Sequence, residues 1–206
     1  MTKSSLIFTL ILLINALKIH GFPMENEMLQ ISDATIYVEK EHKKDLAKVV
    51  QVLQEEVQKR SGILWSSSKK LSKGDQWQVI ITLEKSLPDN LQKELDQMDK
   101  IEAEGYRLVV VPNEKKVIIH ALDRRGALFG VGKLLRKIEI RKGGISIPDN
   151  LKIGSSPQYS IRGHQLGYRP KTNSYDAWTV AQYDQYIREL AIFGANSIEI
   201  MPPRTD

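Results

Sequence analysis

Residues 104–138 decide the fold, and they read EGYRLVVVPNEKKVIIHALDRRGALFGVGKLLRKI. The first part contains two runs of β-branched and apolar residues, Tyr106–Val111 and Lys116–Leu122, which predict two strands. Pro112 and Asn113 begin the connection between these runs, and both residue types favour turns. The stretch therefore begins with a predicted β-hairpin.

The second part has apolar residues at helical spacing and predicts a helix over Arg124–Ile138. Gly126, Gly130 and Gly132 lie inside this helix, where each glycine costs about 1 kcal/mol relative to alanine. We therefore expect the helix backbone to pack closely against the sheet. A phosphate-binding loop would carry its glycines ahead of the helix, directly after a strand, so the spacing argues against a nucleotide site.

Strand and helix patterns also alternate ahead of the hairpin, and glycine, proline and serine then break the pattern near residues 148–158. This organisation predicts a front α/β sandwich domain over residues 22–153. Its earlier elements are a strand at Ala34–Val38, a helix at His42–Ser61, a strand at Gln76–Leu83 and a short helix at Pro88–Lys100.

The rest of the chain, residues 154–206, has the pattern of a β-α-β unit with two parallel strands. The strands are predicted at Tyr159–Tyr168 and Asn196–Met201, with a helix at Thr179–Gly194 between them. A complete (β/α)8 barrel takes about 250 residues. The sequence therefore predicts an α/β fold: a small α/β sandwich domain followed by the first β-α-β of an incomplete (β/α)8 barrel, in a fragment or truncated reading frame.

Residues 1–21 are typical of a secretory signal peptide, because Lys3 precedes an apolar run from Leu6 to Ile14. A membrane-spanning helix needs roughly twenty apolar residues, and Lys18 interrupts this run too early. We expect a secreted or periplasmic protein without stable membrane insertion. An uncleaved membrane anchor is the alternative.

Composition indicates what stabilises the chain and which partners and cofactors it lacks signals for. The chain has no cysteine, so stability has to come from a core built from its 41% apolar residues. The net charge of +5 falls to about +3 without Lys3 and Lys18, and the remaining lysines alternate with glutamates, which argues against a nucleic-acid partner. The four histidines lack metal-ligand spacing and no cofactor motif occurs, so we predict neither a metal nor a cofactor.

Three segments carry a resemblance to known enzymes. Residues 104–108 and Asp123–Val131 resemble the accessory domain that precedes the barrel in family 20 glycoside hydrolases, the β-N-acetylhexosaminidases, and also the N-terminal domain of α-glucuronidases. Pro157–Gly163 resembles the start of the first barrel strand of the hexosaminidases. The resemblance implies a glycoside hydrolase that acts on an oligosaccharide or glycan, most like a β-N-acetylhexosaminidase, with an α-glucuronidase-like hydrolase as the alternative.

The resemblance also implies a role for Arg162. In hexosaminidases of this type the arginine of the corresponding Arg-Gly pair contacts hydroxyls of the terminal sugar, and the guanidinium fork suits two neighbouring hydroxyls. The alternative is a structural arginine that pairs with a carboxylate at the end of the barrel.

Further sugar contacts are predicted at the carboxyl end of the first barrel strand, where barrel active sites lie. The candidates are His164, Tyr168, Arg169 and Trp178, because aromatic rings stack on sugar faces and polar groups bind hydroxyls. Strand alternation leaves open whether His164 or its neighbour Gln165 points into the barrel mouth. Arg169 also suits an acidic sugar, as the α-glucuronidase alternative requires.

Catalytic residues are not identified in this chain. The resemblance places the family's catalytic Asp-Glu pair on the fourth barrel strand, beyond Asp206, so we expect the chain alone to be inactive. Gly167 stands where the family pattern has an aspartate, which leaves open a non-catalytic carbohydrate-binding protein on the same fold. A purely structural exported domain is the third alternative, and the sequence does not indicate the oligomeric state.

Overall fold

The computed structural model describes residues 27–83, 87–166 and 178–200. The predicted signal peptide, Tyr168 and Arg169 lie outside the described residues. Within the three described ranges, every helix is too short or too polar to span a lipid bilayer.

Strands and helices alternate along most of the chain. The strands are β1 (Met28–Gln30), β2 (Thr35–Val38), β3 (Ser67–Ser68), β4 (Gln78–Thr82), β5 (Tyr106–Val111), β6 (Lys116–Ala121), β7 (Glu139–Arg141), β8 (Gly144–Pro148), β9 (Lys152–Ser155), β10 (Gly163–Leu166) and β11 (Ser197–Ile200). The α-helices are α1 (Lys43–Ser61), α2 (Asp89–Asp96), α3 (Arg124–Lys137) and α4 (Val180–Ile192), and short 3-10 helices cover Lys40–His42 and Pro112–Glu114.

A six-stranded mixed sheet forms the centre of the front part, in the order β3-β2-β4-β6-β5-β9. Strands β2, β4 and β6 are parallel neighbours, and β5 is antiparallel to both β6 and β9. The predicted hairpin is confirmed, with Tyr106 opposite Ala121 and Val111 opposite Lys116. Strand β9 pairs with β5 as far as Ser155, so the central sheet includes residues up to that point.

Helices cover both faces of this sheet. On one face, α1 and α3 bury Leu46, Leu53 and Leu134 in the larger core. On the other face, α2 buries Leu91 and Leu95 in a smaller core against β4, β5 and β6. Truncating a fully buried leucine to alanine costs about 2–5 kcal/mol, so both faces contribute to stability. The predicted mixed α/β architecture is therefore confirmed for the front part.

Glycines of α3 allow close approaches to neighbouring parts of the chain, and two of them are informative. A Cβ added to Gly130 would lie 2.5 Å from Cγ2 of Ile119 in β6, so this glycine lets the helix backbone contact the sheet, as the sequence predicts. A Cβ at Gly132 would instead overlap the carbonyl oxygen of Ile192 at the end of α4. This second glycine serves a helix–helix contact that the sequence did not predict.

The last described elements form a β-α-β unit. Strand β10 pairs with β11 in parallel, with Gly163 opposite Ser197, and Thr179 caps α4 in a capping box with Gln182. The predicted strand over Tyr159–Tyr168 is too long, because the observed strand begins only at Gly163. Just before it, the backbone N–H of Arg162 donates to Oδ1 of Asn196 instead of continuing the ladder.

Ion pairs fix α4 against α1. Nη1 of Arg188 lies 2.6 Å from Oε2 of Glu55 and 3.6 Å from Oε1 of Glu56. Glu56 is only 1% exposed and also accepts from Arg60, which reaches Glu189 of α4 at 3.2 Å. The β-α-β unit therefore packs on the face of the front part that α1 and α3 cover.

Candidate functional site

The predicted sugar contact His164 lies in β10 on the face that α4 covers. Oη of Tyr186 in α4 lies 3.1 Å from Nδ1 of His164, and the two rings meet edge to face with centroids 5.7 Å apart. Because side chains alternate along a strand, Gln165 lies on the opposite face, where it is exposed. The structure thus answers the question that strand alternation left open: His164 faces the helix, and Gln165 faces away from it.

Trp178 packs against the same helix. Its ring meets Tyr183 at 5.4 Å and Tyr186 at 5.0 Å between centroids, both edge to face. Tyr183 and Tyr186 are three residues apart in α4, so they share one side of the helix. His164 and Trp178, predicted separately, are brought together around Tyr186. Each such aromatic pair contributes about 0.5–1.5 kcal/mol.

The face of the β10–β11 pair that α4 does not cover carries a polar pair. Gln165 is opposite Glu199 in the parallel register, and both side chains are exposed. A parallel sheet is normally covered on both faces. This face therefore presents two polar side chains that no described helix covers. The sequence shows both residues, but only the register places them side by side.

Arg162 lies at the opposite end of β10 from this aromatic cluster. Its Nη2 donates to Oε2 of Glu104 at 2.6 Å, its Nε to the carbonyl of Gly194 at 3.0 Å, and its Nη1 to the carbonyl of Tyr159 at 2.7 Å. The contacts observed are those of the alternative role, a structural arginine that pairs with a carboxylate. Contact between Arg162 and a sugar stays a prediction, as do the sugar contacts of the other four candidates.

Glu104 is the residue that sequence reasoning missed. Its side chain is 15% exposed and accepts hydrogen bonds from Arg162, from Arg125 at 2.8 Å and from Nδ2 of Asn196 at 3.0 Å. The hydrogen bond from Arg162, followed by that from Arg125, holds the pKa of the Glu104 carboxyl below its usual value of 4.5, although partial burial opposes this. Its position in the segment that the sequence analysis compared with hydrolase accessory domains was the available signal.

The backbone of Glu104 is also held. Its φ of 60° lies in the left-handed region, which is uncommon for a residue with a side chain. Its N–H donates to Oδ2 of Asp123 at 2.6 Å, and the other oxygen of Asp123 caps α3 through the N–H of Gly126. The carboxylate is thus held between the start of α3 and the start of β10.

Residues that could bind a metal are grouped at the carboxyl end of β2. Glu39, Glu41 and His42 place one ligand atom each within 4.8 Å of one another. The carboxylate of Glu41 is exposed, and groups of this kind are common on protein surfaces without an ion. The grouping alone does not establish a metal site.

Comparison with known proteins gives a match in fold only. No protein-family model matches the chain, and no curated protein matches it. Among solved structures, the GH20 β-N-acetylhexosaminidase of Streptomyces coelicolor is 19% identical, with a TM-score of 0.60 over 85% of this chain and 32% of that chain. The GH20 exo-β-N-acetylglucosaminidase of Vibrio harveyi is 17% identical, with a TM-score of 0.60 over 85% of this chain and 23% of that chain.

The β-N-acetylhexosaminidase of Bacteroides fragilis is also similar, at 17% identity and a TM-score of 0.57 over 85% of this chain and 30% of that chain. The chain spans less than a third of the length of each of these enzymes. At this identity the match establishes the fold and leaves the activity open. The chain therefore has the fold of a GH20-like N-terminal domain.

Proposed function

We propose that this chain is the N-terminal part of an exported glycoside hydrolase, most like a β-N-acetylhexosaminidase, that acts on an oligosaccharide or glycan. The observation that carries the proposal is the fold match to GH20 enzymes, which covers 85% of the chain. The resemblance of residues 104–131 and 157–163 to these enzymes also supports the proposal.

The β-α-β unit supports the proposal of a barrel. Strands β10 and β11 are parallel, α4 covers one face, and Gln165 and Glu199 are exposed on the other. We propose that these strands are the first two of a (β/α)8 barrel and that the Gln165–Glu199 face lies inside it. The catalytic Asp-Glu pair of the family would then belong to a later strand.

This arrangement makes the chain inactive on its own. The purified 206-residue chain should release no p-nitrophenol from p-nitrophenyl N-acetyl-β-glucosaminide, because the residues that would orient and protonate the substrate are supplied elsewhere in the barrel. Turnover above that of a heat-denatured sample would contradict this assignment of the catalytic pair.

Binding provides a test of the sugar site itself. One fold neighbour, the Streptomyces plicatus β-hexosaminidase, was solved with its product GlcNAc. We therefore propose a terminal N-acetylglucosamine as the ligand, with Trp178 as a contact. Calorimetric titration of the chain with N-acetylglucosamine should show weak saturable binding that Trp178→Ala removes. Tyr159→Ala, which deletes an aromatic ring that is 72% exposed at the other end of β10, is the matched control.

Either of two outcomes would count against the sugar site. The first is an absence of saturable binding to the wild-type chain. The second is equal loss of binding in Trp178→Ala and Tyr159→Ala, since a general loss of folding would produce the same result.

Export is proposed from the Lys3 and Leu6–Ile14 pattern. Expression with the natural N-terminus in a bacterial host should give a processed protein outside the cytoplasm, and mass spectrometry should place the cleavage near residue 21. A variant with two leucines of the apolar run changed to arginine should stay in the cytoplasm unprocessed. Recovery of the unprocessed wild-type chain from the cytoplasm would contradict the proposal.

A further inference from the structure

A cavity of about 620 Å³ lies on the α2 side of the central sheet. It is bounded by Leu83 just after β4, by Leu122 just after β6 and by Met98, Lys100 and Ile101 in the segment that follows α2. Ligands of open α/β sheets bind outside the carboxyl ends of the parallel strands, and this cavity occupies that position for β4 and β6. Its volume is in the range of small-molecule sites.

Arg107 supplies an anion-binding group to this cavity. The residue is only 8% exposed, and its Nε donates to the carbonyl of Asp99 at 2.8 Å. Across the described ranges, its two terminal nitrogens have no hydrogen-bond acceptor, although the residue lines the cavity. These nitrogens are therefore available to donate to an anion in the cavity, and hydrogen bonds between charged groups are the stronger ones. The guanidinium fork suits the two oxygens of a carboxylate.

The surroundings of Arg107 favour negative charge. His120 is directly opposite Arg107 in the β5–β6 register and is 4% exposed, so the two side chains lie next to each other on the same face. Lys100 adds a third basic group at the cavity wall. Among the described residues of the lining, the one acidic group is Asp96, which accepts a hydrogen bond from Gln92 at 2.8 Å.

The rest of the wall is apolar. Met98, Ile101 and Leu122 face the cavity, and Leu122 is 51% exposed although it is a large hydrophobic residue. A ligand that fits this wall has an apolar face as well as a negative group. Sugar rings and small hydrocarbon rings both have such a face.

We propose that this cavity is a second ligand site, which binds a small monocarboxylate with its carboxylate on Arg107 and its apolar face on Met98, Ile101 and Leu122. The site is separate from the β10–β11 end of the molecule. It does not depend on whether the chain belongs to a glycoside hydrolase.

The test is calorimetric titration of the 206-residue chain with two carboxylates, glucuronate and benzoate, and with their neutral counterparts, glucose and benzyl alcohol. We expect saturable binding of at least one carboxylate and none of its neutral counterpart. The preferred carboxylate tells whether the natural ligand is a sugar acid or a hydrocarbon acid.

Two variants test whether the ligand binds in this cavity. Arg107→Gln should weaken binding by about tenfold or more, since a hydrogen bond to a charged group contributes at least that factor. Leu122→Trp fills the cavity from an exposed position and should abolish binding with little effect on folding. Leu64→Trp is its matched control, because Leu64 is 59% exposed and outside the cavity lining, and it should bind as the wild type does.

The proposal is overturned if neither carboxylate binds, or if each neutral counterpart binds as tightly as its acid. It is also overturned if Leu122→Trp binds a carboxylate with unchanged affinity, because the ligand would then lie elsewhere.

Discussion

Nη2 of Arg162 lies 2.6 Å from Oε2 of Glu104, and this ion pair joins positions that are 58 residues apart in the chain. Both side chains are largely buried, at 22% and 15% exposure. Glu104 lies two residues before β5 and Arg162 lies directly before β10, so the pair joins the front sheet to the β-α-β unit next to the starts of these two strands.

The first prediction concerns the strength of this connection. Glu104→Ala should lower the free energy of unfolding by about 2 kcal/mol, because it leaves the guanidinium of Arg162 partly buried without its carboxylate. Alanine keeps a Cβ, so the cost of the positive φ at position 104 is unchanged. Urea denaturation followed by circular dichroism measures the effect, and Glu102→Ala at an exposed neighbouring position is the control.

A double-mutant cycle with Arg162→Ala separates the pair from its surroundings. Since the two side chains are in direct contact, we expect a coupling energy of about 1.5 kcal/mol. Additive effects of the two substitutions would show that the ion pair does not connect the two parts energetically.

The second prediction follows from the lowered pKa of Glu104. A carboxylate with a depressed pKa stabilises the folded state above its unfolded-state pKa, and this contribution is lost as the pH falls through the lower folded-state pKa. Below pH 4.5, the wild type should therefore lose stability more steeply than Glu104→Gln, whose side chain does not titrate. Thermal midpoints measured from neutral to acidic pH provide the comparison. Parallel curves would assign the acid sensitivity to other groups.

The third prediction concerns the contact between α3 and α4. Gly132→Ala should destabilise the protein by about 2 kcal/mol, because the new Cβ would overlap the carbonyl of Ile192 and force the helices apart. In an uncrowded helix the same substitution would be stabilising by up to about 1 kcal/mol. Gly144→Ala, which meets nothing within 4 Å, is the control. A more stable Gly132→Ala protein would show that α4 is not held against this glycine.

Helical periodicity made the larger elements predictable. The helices predicted over His42–Ser61 and Arg124–Ile138 are observed as Lys43–Ser61 and Arg124–Lys137, because one face of each supplies the core. Strands β1, β7 and β8 were missed, since they are short and form a separate sheet through pairings between distant segments. The strand predicted from Tyr159 starts late because Asn196 takes the backbone N–H of Arg162.

The site was less predictable than the fold, because its contacts also join segments that are distant in the sequence. Residue types identified His164 and Trp178 as candidates, but only the packing of α4 shows that both contact Tyr186. Glu104 carries no local pattern that indicates its partners, because Arg162 and Asn196 are 58 and 92 residues away. Ion pairs of this kind depend on how two parts of the chain dock, which short-range spacing does not encode.

The last prediction tests the aromatic cluster formed by His164, Trp178, Tyr183 and Tyr186. Tyr186→Phe keeps the rings in contact and removes only the hydroxyl that meets Nδ1 of His164, so we expect a loss of about 1 kcal/mol in the free energy of unfolding. Tyr159→Phe removes a hydroxyl from a side chain that is 72% exposed and should change stability little. Urea denaturation of the three proteins gives the comparison. Equal stability of Tyr186→Phe and the wild type would mean that water replaces the hydroxyl without loss, and that ring packing alone holds His164 on the helix side of β10.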